Sequence, residues 1–304
     1  MFVEKRVHGK SIKYYLVYSY REKGIVKKER KYLGQDLDKT ELEAKTNIAK
    51  QEISQTISKF TTQIFSFSLT KNQVEKLNAS SKIKIVHFNE KEWQAFTETF
   101  VYNTNAIEGS TVQENEVREI LREKRAFDVE EKETRGVAKA VDYIRNTKEE
   151  FSVELIKKLH DLCFHETKSY AGQFRNVGVV VKNSRGEVVH RGIHYSEVKS
   201  SLEKMTIWYE KNKLNFKPLV LAAIIHNEFE NIHPFEDGNG RVGRLLLNFI
   251  LLKNNYPPIN VKLQDRMKYY STLQEYSKNK NIKPTIIFLI TQYKKTLKQV
   301  TTNK

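Results

Sequence analysis

One stretch of this chain gathers an imidazole, a carboxylate, two guanidiniums and flexible glycines: His233-Pro234-Phe235-Glu236-Asp237-Gly238-Asn239-Gly240-Arg241-Val242-Gly243-Arg244. Gly238-Asn239-Gly240 can turn successive backbone N–H groups toward one point, and a helix starting there adds its own free N–H groups and positive dipole end. The result is a nest for an anion. Arg241 and Arg244 are three apart, so on a helix they share a face and suit two oxyanion groups, as on a polyphosphate. Asp237 stands just before the nest, where a carboxylate beside a polyphosphate is a natural Mg²⁺ ligand. His233 can accept a proton near neutral pH. The run does not have the form G-x-x-x-x-G-K-[ST], so the phosphate signal does not come from a P-loop.

These residues need two helices to hold them. An apolar helical pattern, Leu219-Val220-Leu221-Ala222-Ala223-Ile224-Ile225, leads in after Pro218, which suits a first helical turn. A second pattern from Leu245 to Leu252 leads out and stops before Pro257-Pro258. Around this pair the chain reads as mainly α. Helical patterns cover Leu42 to Phe60, Phe88 to Tyr102, Gln113 to Lys124, Val129 to Thr147, a helix capped by Ser152 that runs to His165, a helix from Ser196, and two near Asp265–Ser277 and Pro284–Leu297. Thr70-x-x-Gln73 predicts a capping box, and Phe65 to Leu69 is a short apolar run. Two stretches read as strands instead. Residues 2–34 form a three-stranded meander with turns at His8-Gly9-Lys10 and Glu22-Lys23-Gly24. Residues 176–192 form a hairpin with Asn183-Ser184-Arg185-Gly186 at its tip.

Composition sets the outer bounds. The sequence has 304 residues and a formal net charge of +16. The charge sits at the ends: residues 1–34 carry ten Lys/Arg against three Glu, and residues 278–304 carry seven Lys and no acid. No apolar run reaches the roughly 18 residues of a membrane span, and Met1 leads into charged residues without an apolar signal core. The single cysteine, Cys163, lies in an apolar helical pattern and has no second thiol to bridge, so it is expected in the core. These features predict a cytoplasmic protein.

The loop, of the form H-P-F-x-D-G-N-G-R-x-x-R, resembles the signature of the Fic family. The similarity extends over about residues 95–295: Gly172-Gln173-Phe174-Arg175 resembles that family's G-x-F-R element, the 176–192 hairpin its target-positioning flap, and Tyr256-Pro257-Pro258 and Tyr269-Tyr270 also match. The resemblance implies a Fic-type helical core over 95–298, joined by a helical connector (37–94) to a small basic β-rich module (1–36). It also implies transfer of AMP from ATP to a protein hydroxyl, with Mg²⁺ (or Mn²⁺). His233 would be the base, Asp237 the metal ligand, and Gly238, Asn239, Gly240, Arg241 and Arg244 the phosphate site. Tyr269 and Tyr270 would line the adenosine pocket, and Val181 and Lys182 are flap positions near nucleotide. The family's phosphorylating branch has Lys where this chain has Gly240, so AMP transfer is expected. Flaps of the family often carry prolines after the hairpin, and a family Asn beyond Tyr270 is Ser277 here.

Thr104-Asn105-Ala106-Ile107-Glu108-Gly109 is similar to the family's inhibitory motif, S/T-x-x-x-E-G/N. On a helix of about residues 95–110, Glu108 would then engage Arg244 and misalign the α-phosphate of bound ATP. Three other readings stay open. Glu108 could orient water and let the enzyme remove AMP from targets. The pair could belong to a toxin–antitoxin system, although this inhibitor lies in the same chain. Residues 1–34 interleave Tyr14, Tyr15, Tyr18, Tyr20 and Tyr32 with basic residues, one look of a nucleic-acid platform; a small solvated sheet whose tyrosines pack on helices is preferred. The expected partners are a protein with a reactive hydroxyl, including the chain itself, and a second copy in a homodimer. His160, His165, His190, His194 and His226 are expected in ordinary core or surface roles.

Overall fold

In a computed structural model, the structure describes residues 1–22, 25–58, 61–123, 125, 127–182 and 185–302, with backbone only at 20–22, 25–26, 54–58, 182 and 301–302. Lys23, Gly24, Asn183 and Ser184, expected in turns, lie outside the described residues. The chain divides into two compact units, Met1–Ala79 and Ser80–Lys304.

The first unit opens with strands β1 (Phe2–His8), β2 (Ser11–Glu22) and β3 (Ile25–Gln35), an antiparallel sheet in that spatial order. Side chains alternate across it. Tyr14, Leu16 and Leu33 point to one face and are covered by Ala49 and Ile53 of helix α1 (Lys39–Ser58), with Tyr18 and Ile12 half-buried at the margin. Sheet and α1 therefore share one core, and the expected boundary at residue 36 does not divide them. The stretch expected to be a helical connector (37–94) also contains a small hairpin, β4 (Thr61–Ile64) and β5 (Phe67–Thr70), the second strand falling on the short apolar run at 65–69. Four-residue strands are too short to show a period against the helical run before them. Helix α2 (Lys71–Ser80) follows with the expected box: the Thr70 N–H donates to Gln73 Oε1 at 2.7 Å and the Gln73 N–H to Thr70 Oγ1 at 3.2 Å.

The second unit contains helices α3 (Glu90–Ile107), α4 (Glu114–Arg122), α5 (Val129–Asn146), α6 (Val153–Phe164), α7 (Val198–Asn212), α8 (Pro218–Ile232), α9 (Asn239–Lys253), α10 (Arg266–Asn279) and α11 (Lys283–Thr302), and the hairpin β6 (Val180–Lys182) and β7 (Val188–Arg191). Its axis is the pair α8–α9. Most residues of both are buried, eleven of fifteen in α8 and twelve of fifteen in α9, which is why apolar side chains occur on more than one face of each rather than in a single stripe. Helices α3, α5 and α6 pack on α9, and α7, α10 and α11 pack on α8. Local caps fix where helices begin. Ser152 Oγ accepts the Leu155 N–H at 3.0 Å, and Asn89 with Glu92 forms a capping box on α3. Among the described residues no helix is long and apolar enough to cross a membrane. Cys163 is buried, and burial pushes its thiol up to about 12, leaving it a packing residue.

Candidate functional site

The loop between α8 and α9 is built from two left-handed residues. His233 ends α8 with φ 54°, and Gly238 precedes α9 with φ 80°. Glycine reaches this region without penalty and histidine only with support. A Cβ on Gly238 would also lie 2.3 Å from the Phe164 ring. The support for His233 comes from below. Asn239 closes a pair of bonds with Phe235, accepting from its N–H and donating to its carbonyl, both at 2.8 Å. Phe235 is fully buried and stacks on His160, ring centroids 3.9 Å apart at 15°. The Asn239 amide therefore braces the loop through both of its polar atoms, while its second Nδ2 hydrogen and its backbone N–H are the donors it can offer an anion.

Arg175 fastens the same loop from the side. Its guanidinium is buried and donates to four backbone carbonyls: His233 at 2.7 Å, Val177 at 2.8 Å, Ile193 at 2.5 Å and Ile232 at 3.3 Å. Its N–H also reaches Pro234 O at 3.0 Å. One side chain thus ties the base of the flap, at Val177 and Ile193, to the residue that carries the imidazole. Replacing it with Met should strip several buried carbonyls of their donor and cost about 3 kcal/mol. Chemical denaturation checks this; a midpoint equal to the parent's would show that the carbonyls find other partners.

His233 is mostly buried, its side chain 17% exposed. Burial, reinforced by the nearby His190, pushes its imidazole down to about 4. Its Nδ1 lies 3.4 Å from the Glu230 carbonyl and can donate there, which leaves Nε2 as the acceptor. The His190 ring lies 5.9 Å away, its Nε2 at 3.2 Å from Asn231 O. Two further histidines hold the frame. His160 takes the Gly172 N–H on Nδ1 at 2.9 Å, so its Nε2 is the protonated nitrogen and donates to Asp237 O at 3.1 Å. His226 bonds Gly243 O through Nδ1 and the Tyr269 hydroxyl through Nε2, both at 2.9 Å. Burial lowers both imidazoles to about 4, so both are neutral props. Glu230 is also buried, with Oε2 at 3.9 Å from His233 Nδ1; burial raises its carboxyl to about 8 and keeps it protonated at neutral pH.

At the start of α9 the first ladder bond is Val242 N–H to Gly238 O. The N–H groups of Asn239, Gly240 and Arg241 have no carbonyl within the helix to take them. Arg241 is buried, lies over the Phe164 ring at 4.4 Å, and is paired with Glu133 of α5. It also approaches Asp237 at 3.4 Å. Lys168 bridges the two acids, at 2.9 Å from Asp237 and 3.2 Å from Glu133. Burial acts to raise the Asp237 carboxyl, but Lys168 and Arg241 outweigh it and hold it below the usual range. Asp237 is half exposed, and two cationic groups already converge on its Oδ2. Among the described residues no three His, Cys, Asp or Glu side chains gather as a metal cage. A single carboxylate beside a phosphate nest suits Mg²⁺, which takes one or two carboxylates and completes its shell with phosphates and water.

Arg244 is 2 % exposed and is gripped by α3. Its Nε donates to Thr104 Oγ1 at 2.7 Å and its second nitrogen to Thr104 O at 2.9 Å and to Glu108 Oε1 at 2.7 Å. Thr104 and Glu108, four apart, share the face that makes this contact. Gly109, at φ 100°, ends α3 directly after Glu108: its N–H bonds Ala106 O at 3.1 Å and the Ser110 N–H bonds Asn105 O at 3.1 Å. The helix stop and the inward carboxylate are therefore parts of one arrangement. A Cβ on Gly240 would lie 2.1 Å from Glu108 Oε1, so glycine there lets the carboxylate lie over the α9 terminus.

The remaining expected residues divide. Tyr269 is buried, its hydroxyl bonded to His226, so it is a core residue and presents no face to a base. Tyr270 is half-buried, and its hydroxyl reaches Ile107 O at 3.3 Å, tying α10 to the end of α3. Val181 pairs with His190 in the hairpin; the Lys182 side chain lies outside the described residues. Sequence reasoning gave no site role to Arg175, His160, His226, Glu133, Lys168 or Glu230. Only Arg175 carried a local signal, its place in Gly172-Gln173-Phe174-Arg175.

Residues 150–251 match the Fic/DOC family profile. Among curated proteins, the chain is 30% identical over 199 residues to a protein adenylyltransferase Fic of Nematostella vectensis, covering 62% of this chain and 45% of that protein. A relative of the same name from Aedes aegypti is 31% identical over 210 residues, 65% of this chain and 40% of the relative. The chain thus spans less than half the length of these relatives. Its fold is similar to that of a Fic-domain-containing signaling protein from Bacteroides thetaiotaomicron, with a TM-score of 0.61 at 22% identity over 76% of this chain and 96% of the other.

Proposed function

We propose that the chain, whose residues 150–251 match the Fic/DOC family profile, acts as a member of that family and transfers AMP from ATP to a Ser, Thr or Tyr hydroxyl of a protein, itself included. The observation that carries this is the meeting, on one loop, of a neutral imidazole and the unladdered N–H groups of α9, with Arg241 and Arg244 beside them. His233 Nε2 takes the proton of the target hydroxyl while its oxygen attacks the α-phosphorus. A phosphorus–oxygen bond forms to the target, the bond to the β-phosphate oxygen breaks, and pyrophosphate leaves. The hydroxyl is far too weak an acid to ionise first, so the base acts in the transition state. The α9 N–H groups hold the non-bridging oxygens as charge builds on them, and Arg241 and Arg244 orient the outer phosphates for an in-line approach. Asp237 would hold Mg²⁺ or Mn²⁺, which neutralises phosphate charge when bound.

Glu108 is the inhibitory element of this proposal. It occupies the guanidinium edge that a terminal phosphate would use. The flap, with Val181 and Lys182, would pair a target segment along its edge by main-chain bonds, and Tyr270 would face the adenosine. A second copy of the chain and a cytoplasmic setting complete the proposal. It is tested by incubating the purified protein with labelled ATP and mapping AMP adducts by mass spectrometry. Phosphate adducts in place of AMP, or label unaffected by loss of His233, would overturn it.

The depressed imidazole sets a pH signature. A base must be unprotonated, and a group titrating at about 4 stays so through the weakly acid range. The expected log(kcat/KM) is flat from about pH 8 down to about pH 5 and falls only below that. An acid limb near the ordinary histidine value would contradict the burial of His233 in the working state.

A further inference from the structure

The face of the first unit's sheet turned away from α1 carries a second set of side chains, with Val17 buried at its centre and exposed cations around it. Helix α1 packs on the face of Tyr14, Leu16 and Leu33. The register puts Arg6 opposite Lys13, Tyr15 opposite Tyr32, Ser19 opposite Lys28 and Val17 opposite Arg30, and these residues alternate onto the other face. The tyrosines expected to pack on helices therefore divide. Tyr14 is buried and Tyr18 lies against the helical core, but Tyr15 and Tyr32 meet each other on the opposite face, ring centroids 5.4 Å apart. Tyr32 is 52% exposed. The Arg6 guanidinium lies over Tyr15 at 5.4 Å. Among the described side chains the one acid this face sets among its cations, Glu4, is shared between Arg6 at 2.9 Å and Arg30 at 3.2 Å, and both arginine side chains stay more than 40% exposed.

We infer that this face binds single-stranded nucleic acid. Paired, partly exposed rings offer stacking surfaces to bases, and every base has a π-face. Arg6 and Lys13 flank the ring pair on one side, and Arg30 and then Lys28 continue along β3 on the other, about 7 Å apart along the strand, so the cations form a line that can follow a phosphodiester backbone. A duplex hides its base faces, so it can use the cations and not the rings; that difference selects the single strand as occupant. A protein ligand would gain from the rings but would have to match four cations with acids.

The test uses the full chain and a fluorescent oligothymidylate of about a dozen nucleotides, with a duplex of equal length beside it. The single strand is expected to bind about tenfold or more tightly than the duplex. Its affinity should fall with salt at a log–log slope of about −3, some 0.7 for each of four phosphate contacts. Tyr15→Leu with Tyr32→Leu should weaken it about tenfold or more, while Tyr15→Phe with Tyr32→Phe should bind like the parent. Arg6→Gln with Arg30→Gln should flatten the salt slope by about 1.4, and decides the matter should the leucine pair lower the melting temperature. Three outcomes overturn the inference: no binding below about 10 μM in low salt, equal or tighter binding of duplex, or affinity unmoved by both the leucine and the glutamine pairs. None of these changes touches the loop at 233–244, so failure here leaves the AMP-transfer proposal standing.

Discussion

Glu108→Gly is expected to raise auto-modification with labelled ATP by about tenfold to a hundredfold, the range of a coupling of about 1–3 kcal/mol. The physical reason is the division of Arg244 between two partners. Thr104 holds Nε and one edge through its hydroxyl and carbonyl, and Glu108 holds the remaining contact. Removing the carboxylate leaves the guanidinium in position and frees it for phosphate. The same change leaves a buried cation short of its counter-charge, which should lower the stability of the nucleotide-free protein by about 2 kcal/mol, less than for a fully buried pair because Glu108 is 29% exposed. ATP should then raise the melting temperature of the variant more than that of the parent, since its phosphates replace the lost anion. A variant that binds ATP yet stays as quiet as the parent would sink the inhibitory role. Incubating AMP-modified protein with both forms reads the direction of the reaction: faster removal by the parent than by the variant would assign Glu108 to hydrolysis.

His233→Ala is expected to cut the transfer rate by about 10²- to 10⁴-fold, the usual worth of a positioned base, with ATP affinity nearly unchanged. The nucleotide contacts proposed here come from α9 and its arginines, which do not pass through the imidazole. Alanine at φ 54° carries backbone strain that could disturb the loop. His233→Asn is the better-controlled change, since asparagine tolerates the left-handed region and keeps the turn. Both should be inactive. An active asparagine variant with normal loop stability would mean that another group takes the proton, and His190, whose ring lies 5.9 Å away, would be the first to examine.

Much of this machinery could be read from the chain alone because its signals are local. The glycines flanking Asn239, the two arginines one helical turn apart and the apolar runs on either side define an anion nest between helices without reference to anything distant. Gly109 directly after Glu108 is likewise a local signal for a helix end, and the Schellman bonds of Gly109 and Ser110 form there. What surrounds the nest was not legible. Arg175 reaches His233 across 58 positions, His160 reaches Asp237 across 77 and Arg241 reaches Glu133 across 108. No periodicity carries information over such separations. Tyr269 and Tyr270 make the same point at short range: one is buried beneath His226 and the other ties α10 to α3, though nothing in adjacent identical residues tells them apart.

The sequence by itself determined the chemistry, because reactive groups clustered within a few residues must act together wherever the chain goes. Only the tertiary structure decided how that chemistry is held. It closed the Asn239 amide onto Phe235, gave Arg175 four carbonyls to bind, and set Glu133 and Lys168 around Arg241 and Asp237. It also set Tyr15 and Tyr32 together on the side of their sheet away from α1. The reason is the same in each case. A buried polar group must find a partner, and which partner comes within reach depends on how whole helices and strands pack, information spread over the entire chain.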